Sequence, residues 1–148
     1  MSDQNHPEAG VGIIVLRDID GKQHVMMHQR RGKWAHGYWG TGGGHMELGE
    51  SLLDGALREL REEAGENVKV RDVQFLCAVN VTEFPPEQYV DINFIATWES
   101  GEPQNTEPDK VGDWQWLPLD DLPSPLLPSV AKGLEALRTD QKLFDSSF

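Results

Sequence analysis

Residues 44–65 read GHMELGESLLDGALRELREEAG, and within them Glu59, Glu62 and Glu63 follow Arg58 on a predicted helix. Offsets of three and four residues stack these carboxylates on one helix face. Like charges at that spacing repel, so a helix gains nothing from them unless a cation lies between. A glycine-rich turn, Gly42-Gly43-Gly44, arrives at the same place from the N-terminal side. Hard oxygen ligands beside a tight backbone approach are what a Mg²⁺ site for phosphate chemistry requires.

The helix itself is legible around the cluster. Ser51 is the predicted N-cap, Leu52, Leu53, Ala56, Leu57, Leu60 and Ala64 make the apolar stripe, and Gly65 is the stop. Ahead of it, VGIIVLRD (11–18) reads as a buried strand and HVMMHQRR (24–31) as a second, joined by DIDGKQ (18–23). Asp18, Asp20 and Gly21 are not the start of a calcium loop, because its sixth and twelfth positions would be Gln23 and Gln29. A hairpin turn suffices.

GKWAHGYWGTGGGH (32–45) is expected to be a loop too glycine-rich for regular structure. After the helix, strands are predicted at 68–82 and 88–98, a charged loop at 99–113, a short strand at 114–119 and a last helix over 126–137. Strands, an inserted helix, more strands and a closing helix predict an α+β or α/β domain, a mixed sheet between helices. The 148 residues make one domain, 1–148, with residues 1–9 expected to be flexible.

The chain carries 25 acidic and 13 basic residues, a net charge of −12. That field repels nucleic acid polymers and anionic membranes, and an anionic small molecule needs a local basic patch plus divalent metal to enter. A lone Cys77 in the apolar run VQFLCAVNV excludes an internal disulfide framework and reads as a buried thiol. No apolar run is long enough for a membrane span and no secretory leader is visible, so a cytoplasmic protein is expected.

At this level of detail the segment resembles the Nudix box, Gx5Ex7REUxEExGU with U a bulky aliphatic residue. Gly44, Glu50, Arg58, Glu59, Leu60, Glu62, Glu63 and Gly65 fall on its positions, and Glu66 replaces the final aliphatic, with Val68 available for the missing apolar contact. At average residue usage, seven fixed identities coincide by chance on the order of once in 10⁸ windows. VGIIVLRD, the 29–51 segment and EPDK…DWQWLPLDDLP are similar to MutT-type pyrophosphatases, in particular the thiopurine nucleotide diphosphatase subgroup.

The resemblance implies a Nudix α/β/α fold and hydrolysis of nucleoside (deoxy)triphosphates to monophosphate and pyrophosphate, serving nucleotide-pool sanitation. It implies Mg²⁺, with Mn²⁺ as a substitute, held by Glu59, Glu62 and Glu63 near the carbonyl of Gly43 or Gly44. Arg58 would pair with Glu50 and orient the helix face, with Gly44, Glu50 and Gly65 structural within the motif. Glu59 or Glu62 would act as general base, with Glu107 in the NTEPDK loop as a further candidate. Arg30, Gly43, Gly44 and Lys110 would meet substrate. Gly42 stands where a proline is usual, which implies a looser turn, and a homodimer is in keeping with related enzymes.

Trp39, and Trp114 with Trp116 on one strand face, read as core. Tyr89 is expected near the base, while His36 and His45 flank the glycine turn as bystanders. Two other readings stay open. One is hydrolysis of another nucleoside diphosphate compound such as ADP-ribose or a dinucleoside polyphosphate; the other is a non-catalytic nucleotide sensor, disfavoured because every box carboxylate is present.

Overall fold

A computed structural model describes residues 6–145. Its spine is a long hairpin, β1 (Glu8–Ile19) and β2 (Lys22–Gln29). Asp20 and Gly21 both take positive φ, 53° and 85°, and the Gly21 N–H donates to Asp18 Oδ1 at 2.9 Å. Two left-handed residues match the twist of an antiparallel pair, so the Asp-Gly sequence makes the turn by itself. Glu8 and Ala9 do not belong to a flexible tail: they pair with Tyr89 and Val90. Residues 1–5 of that expectation lie outside the described residues.

The segment 32–45 also departs from expectation. It contains two short strands, β3 (Trp39–Gly40) and β4 (Gly42–His45). The glycines permit this pairing: a β-carbon on Gly43 would lie 2.8 Å from the Val11 carbonyl oxygen, so only a bare backbone can approach β1 so closely.

Helix α1 (Leu52–Ala64) begins as predicted, with the Ser51 hydroxyl accepting the Asp54 N–H at 3.0 Å. The chain continues through β5 (Lys69–Val81), β6 (Tyr89–Ser100) and β7 (Gln115–Pro118) to helix α2 (Pro128–Thr139). Helix α2 starts two residues later than predicted because Pro128 fixes the first helical φ and disfavours helix for Leu127 before it. A three-residue strand, β8 (Leu143–Asp145), was not foreseen; it adds parallel to β5 through Phe144.

The sheet runs β3-β2-β1-β6-β5-β8, with β4 on β1 and β7 on β2. Pairs β1–β6 and β5–β8 are parallel and the others antiparallel, the expected mixed sheet. Alternation along β1 divides the core. Val11, Ile13 and Val15 pack under α1 with Ala56, Leu60 and Ala64, while Ile14 faces α2 with Val130 and Ala136. The result is the α/β/α layering.

Val68 is buried in the first cluster, and Trp114 and Trp116 pack against it. Trp39 and Cys77 belong to the second. No helix among the described residues is long and apolar enough to cross a membrane.

The sheet forks beside β1. Its Leu16–Ile19 half pairs with β2, and its Gly10–Ile13 half pairs with β4. At the fork, where β2 turns away toward β3 and β7, lies a cavity of about 400 Å³. Side chains of both helix layers reach it, Glu63 from α1 and Ser129 and Val130 from α2.

Candidate active site

Glu63, in the last turn of α1, turns back over β4, and its Oε1 accepts the Gly43 N–H at 2.6 Å. Burial pushes its carboxyl up to about 8; the Gly43 bond and Arg30 oppose this, and Glu59 and Glu107 add to it. Glu59, one turn earlier, fills the space above Gly44, where a β-carbon would collide with its carboxylate. Burial raises its pKa as well, against the pull of Arg58. Two partly buried carboxylates held above their ordinary range mark a place where an added cation gains most.

Arg58 organises the rest. Its Nε and Nη2 donate to the two Glu50 oxygens at 3.0 and 2.9 Å, a two-pronged pair. Nη2 also reaches the His45 carbonyl, and Nη1 serves Glu59 at 3.1 Å and Glu62 at 3.2 Å. These bonds, and the Glu47 N–H on Glu50 Oε1, hold the Glu50 carboxyl down to about 2; the guanidinium is driven above its ordinary range, chiefly by the Glu50 bond. Gly55 makes room, since a β-carbon there would lie 2.9 Å from Glu50 Oε1. Glycine in mid-helix costs about 1 kcal/mol of propensity, accepted here for the ion pair.

The C-terminus of α1 is closed by the loop after β6. An α-helix leaves its last four carbonyls without intrahelical donors. Here Arg61 receives the Gly65 N–H, Glu62 and Glu63 receive the Thr106 hydroxyl at 2.7 and 3.0 Å, Glu63 also receives Trp114 Nε1, and Ala64 receives the Gln104 N–H. The same loop carries Glu107, whose N–H donates to Asn105 Oδ1 and whose charge acts on Glu59, Glu63 and Arg30. Arg30 follows β2, bridges Val111, and has its Nε on the Trp34 carbonyl at 2.8 Å. Burial lowers its pKa, and Glu63 and Glu107 counter this.

Of the residues singled out in the sequence, Glu59, Glu62, Glu63, Arg58, Glu50, Gly43 and Gly44 come together around α1 and β4. Arg30, Gly43, Gly44 and Glu63 line the cavity. Gly65 ends α1 with φ 87°. Glu62 is largely exposed and Glu107 partly so. Lys110 pairs with Glu107 at 3.5 Å, points to solvent and does not line the cavity. His36 bonds the Arg31 carbonyl, whereas Tyr89 and His45 line the cavity.

Among the described residues, no three Asp, Glu, His or Cys side chains are gathered as closely as a closed metal site would hold them. Glu59 and Glu62 instead share one nitrogen of Arg58. The donor set still fits a hard divalent ion: carboxylate oxygens, two of them pushed up by burial and beside a backbone stripped of side chains.

Sequence reasoning missed several residues here. His28 stacks on Trp114 with ring centroids 3.8 Å apart, and burial lowers its pKa to about 4, so it is neutral. Asp91, Asn93 and Ser129 line the far end of the cavity. Alternation along β6 bore on Asp91 and Asn93 but could not say which face would be hollow, and nothing local marked Ser129.

The NUDIX domain model matches residues 6–137. The chain is 33% identical over 138 residues to a nucleoside triphosphate pyrophosphatase/Nudix hydrolase fusion protein of Bifidobacterium longum, covering 90% of this chain and 27% of that one. It is 34% identical over 130 residues to the NAD-capped RNA hydrolase NudC of Pseudomonas aeruginosa, covering 87% and 44%. The chain thus spans less than half the length of these relatives.

Among solved structures, the MutT NUDIX hydrolase from Burkholderia pseudomallei superposes with a TM-score of 0.78 at 30% identity, covering 90% of this chain and 99% of that one. The NUDIX domain of Shewanella oneidensis NrtR, complexed with ADP ribose, gives 0.77 at 26% identity, covering 92% and 89%. The carboxylate helix, the arginine clamp on Glu50 and the glycine strand are therefore a Nudix box in its folded form, and the chain belongs to the Nudix family.

Proposed function

We propose that this domain hydrolyses nucleoside (deoxy)triphosphates to nucleoside monophosphate and pyrophosphate, with Mg²⁺ as the metal and Mn²⁺ as a substitute, and that it serves nucleotide-pool sanitation in the cytoplasm. One observation carries the reading: the Glu63 carboxylate, held by the Gly43 N–H, stands at the edge of a cavity that also receives Arg30. Acidic and basic groups meet where a polyphosphate would have to lie.

Glu59, Glu62, Glu63 and the Gly43 carbonyl would hold the metal. Bound there, it would neutralise nonbridging phosphate oxygens and make water a better nucleophile. The protein's own parts divide the rest. Arg58 keeps Glu59 and Glu62 oriented through its anchor on Glu50. Arg30, and the bare backbone of Gly43 and Gly44, receive phosphate oxygens. Glu107, carried by the loop that caps α1, stands with Glu59 and Glu62 among the groups able to take a proton from water. Lys110 steadies Glu107 and meets phosphate only if that pair opens.

A second reading is hydrolysis of ADP-ribose or a related diphosphate; the superposition on the ADP-ribose-bound NrtR domain favours it. Product analysis separates the two. Pyrophosphate with a nucleoside monophosphate supports the first reading. Two phosphomonoesters from ADP-ribose, with triphosphates untouched, support the second.

A further inference from the structure

The cavity's far end is built by β1 and β6 running parallel, with Gly10 beside Asp91 and Gly12 beside Asn93. A β-carbon on Gly10 would meet Asp91 Oδ1, and one on Gly12 would lie 2.7 Å from Asn93 Oδ1. The two polar side chains therefore lean across β1 into space that the glycines leave. Asn93 is buried, and its Nδ2 donates to the Ser129 carbonyl at 3.1 Å and the Ser129 hydroxyl at 3.0 Å, in the first turn of α2. Ser129 Oγ donates in return to Asn93 Oδ1 at 3.4 Å, and Asp91 lines the cavity beside this pair. The gap at Gly10 thus admits one carboxyl group, that of Asp91, to a cavity walled by Leu127, Val130 and Tyr89.

The same cavity is lined by Trp34, whose indole Nε1–H is buried and has no hydrogen-bond partner among the described residues. Indole N–H only donates, and a carboxylate only accepts. A flat ligand that satisfies both must offer an acceptor and an N–H on its edge. We propose that Asp91 reads the base of the substrate, selecting bases with a ring N–H on the pairing edge next to a carbonyl (guanine, hypoxanthine, uracil, thymine) over adenine and cytosine. This rests on the triphosphate reading above. In adenine and cytosine the corresponding ring nitrogen is a bare lone pair, which faces a carboxylate without a proton between them. Sites built to bond an N–H discriminate strongly, because the mismatched ligand leaves buried groups unpaired.

The test is pyrophosphate release from dGTP, dITP, dTTP, dATP and dCTP with Mg²⁺ at pH 8, for the wild type and Asp91→Asn. The wild type is expected to favour the first three by ~10–100-fold in kcat/KM. In the isosteric variant the amide donates to a bare ring nitrogen, so the ratio falls to one or inverts. Calorimetric titration of the metal-free proteins with GMP and AMP gives a readout independent of turnover: GMP binds tighter to the wild type, and the difference disappears in D91N. Equal wild-type turnover of both classes, or a D91N ratio unchanged in protein with a native circular dichroism spectrum, overturns the proposal. Absence of triphosphate hydrolysis would instead overturn the proposed function, and the GMP–AMP difference would still decide the role of Asp91.

Discussion

Glu63 and Gly43 are joined by a 2.6 Å hydrogen bond from backbone N–H to carboxylate, across the gap between α1 and β4. The bond aims a partly buried carboxyl group that burial, in spite of the bond, pushes up to about 8. Activity and stability therefore pull apart at this position. Glu63→Gln keeps shape and volume but removes the charge. Its metal-dependent turnover should fall by ~10²-fold or more. The melting temperature of the metal-free protein at pH 8 should stay level or rise, as measured by calorimetry in EDTA.

Neighbouring glycines in β4 should fail in different ways. On Gly44 an added β-carbon meets the movable end of Glu59, so Gly44→Ala should displace that carboxylate and lower kcat by more than tenfold at small cost in melting temperature. On Gly43 it meets the fixed carbonyl of Val11, so Gly43→Ala should loosen β4 from β1 and lower the melting temperature by several degrees. Paired thermal scans and rate measurements check both.

Arg58 is the cation shared by Glu50, Glu59 and Glu62. Arg58→Gln should leave these carboxylates facing one another, lowering both melting temperature and turnover. Arg58→Lys should not rescue, because one ammonium cannot reproduce the two-pronged bond to Glu50. Added Mg²⁺ should restore part of the lost stability, read from melting temperature against metal concentration.

His28 gives the fold an acid limit. Its folded pKa of about 4 lies below the unfolded value near 6.5, with burial as the main cause and Arg30 assisting. A lowered histidine pKa contributes stability that is full above the unfolded value and is lost as pH falls through the folded one. The full difference amounts to ~3 kcal/mol. Stability should therefore decline between pH 6.5 and 4, and the slope should flatten in His28→Phe, which retains a flat ring against Trp114.

Thr106 caps the helix that carries the proposed metal ligands. Thr106→Val removes its hydroxyl from the Glu62 and Glu63 carbonyls while keeping the branched shape, and should cost ~1–2 kcal/mol in denaturant unfolding. Thr106→Ser should recover most of it.

What could be read beforehand follows the physics of each segment. Helix α1 was legible because its stripe, Ser51 cap and Gly65 stop all agree, and the hairpin because Asp20-Gly21 encodes its own turn. Strand β4 was not, since glycine carries no strand preference and its pairing comes from fit against Val11. Strand β8 is too short to show a period. The box residues were legible through spacing along one helix. The Asn93–Ser129 end of the cavity, like the Thr106 cap, joins residues far apart in the chain, and no local pattern records such a meeting.

The most direct test of the central claim is product analysis of a (d)NTP panel incubated with the protein and Mg²⁺. Nucleoside monophosphate and pyrophosphate should form in equal amounts, and both should be lost in EDTA and in Glu63→Gln. Nucleoside diphosphate with orthophosphate, or undiminished turnover by Glu63→Gln, would contradict it.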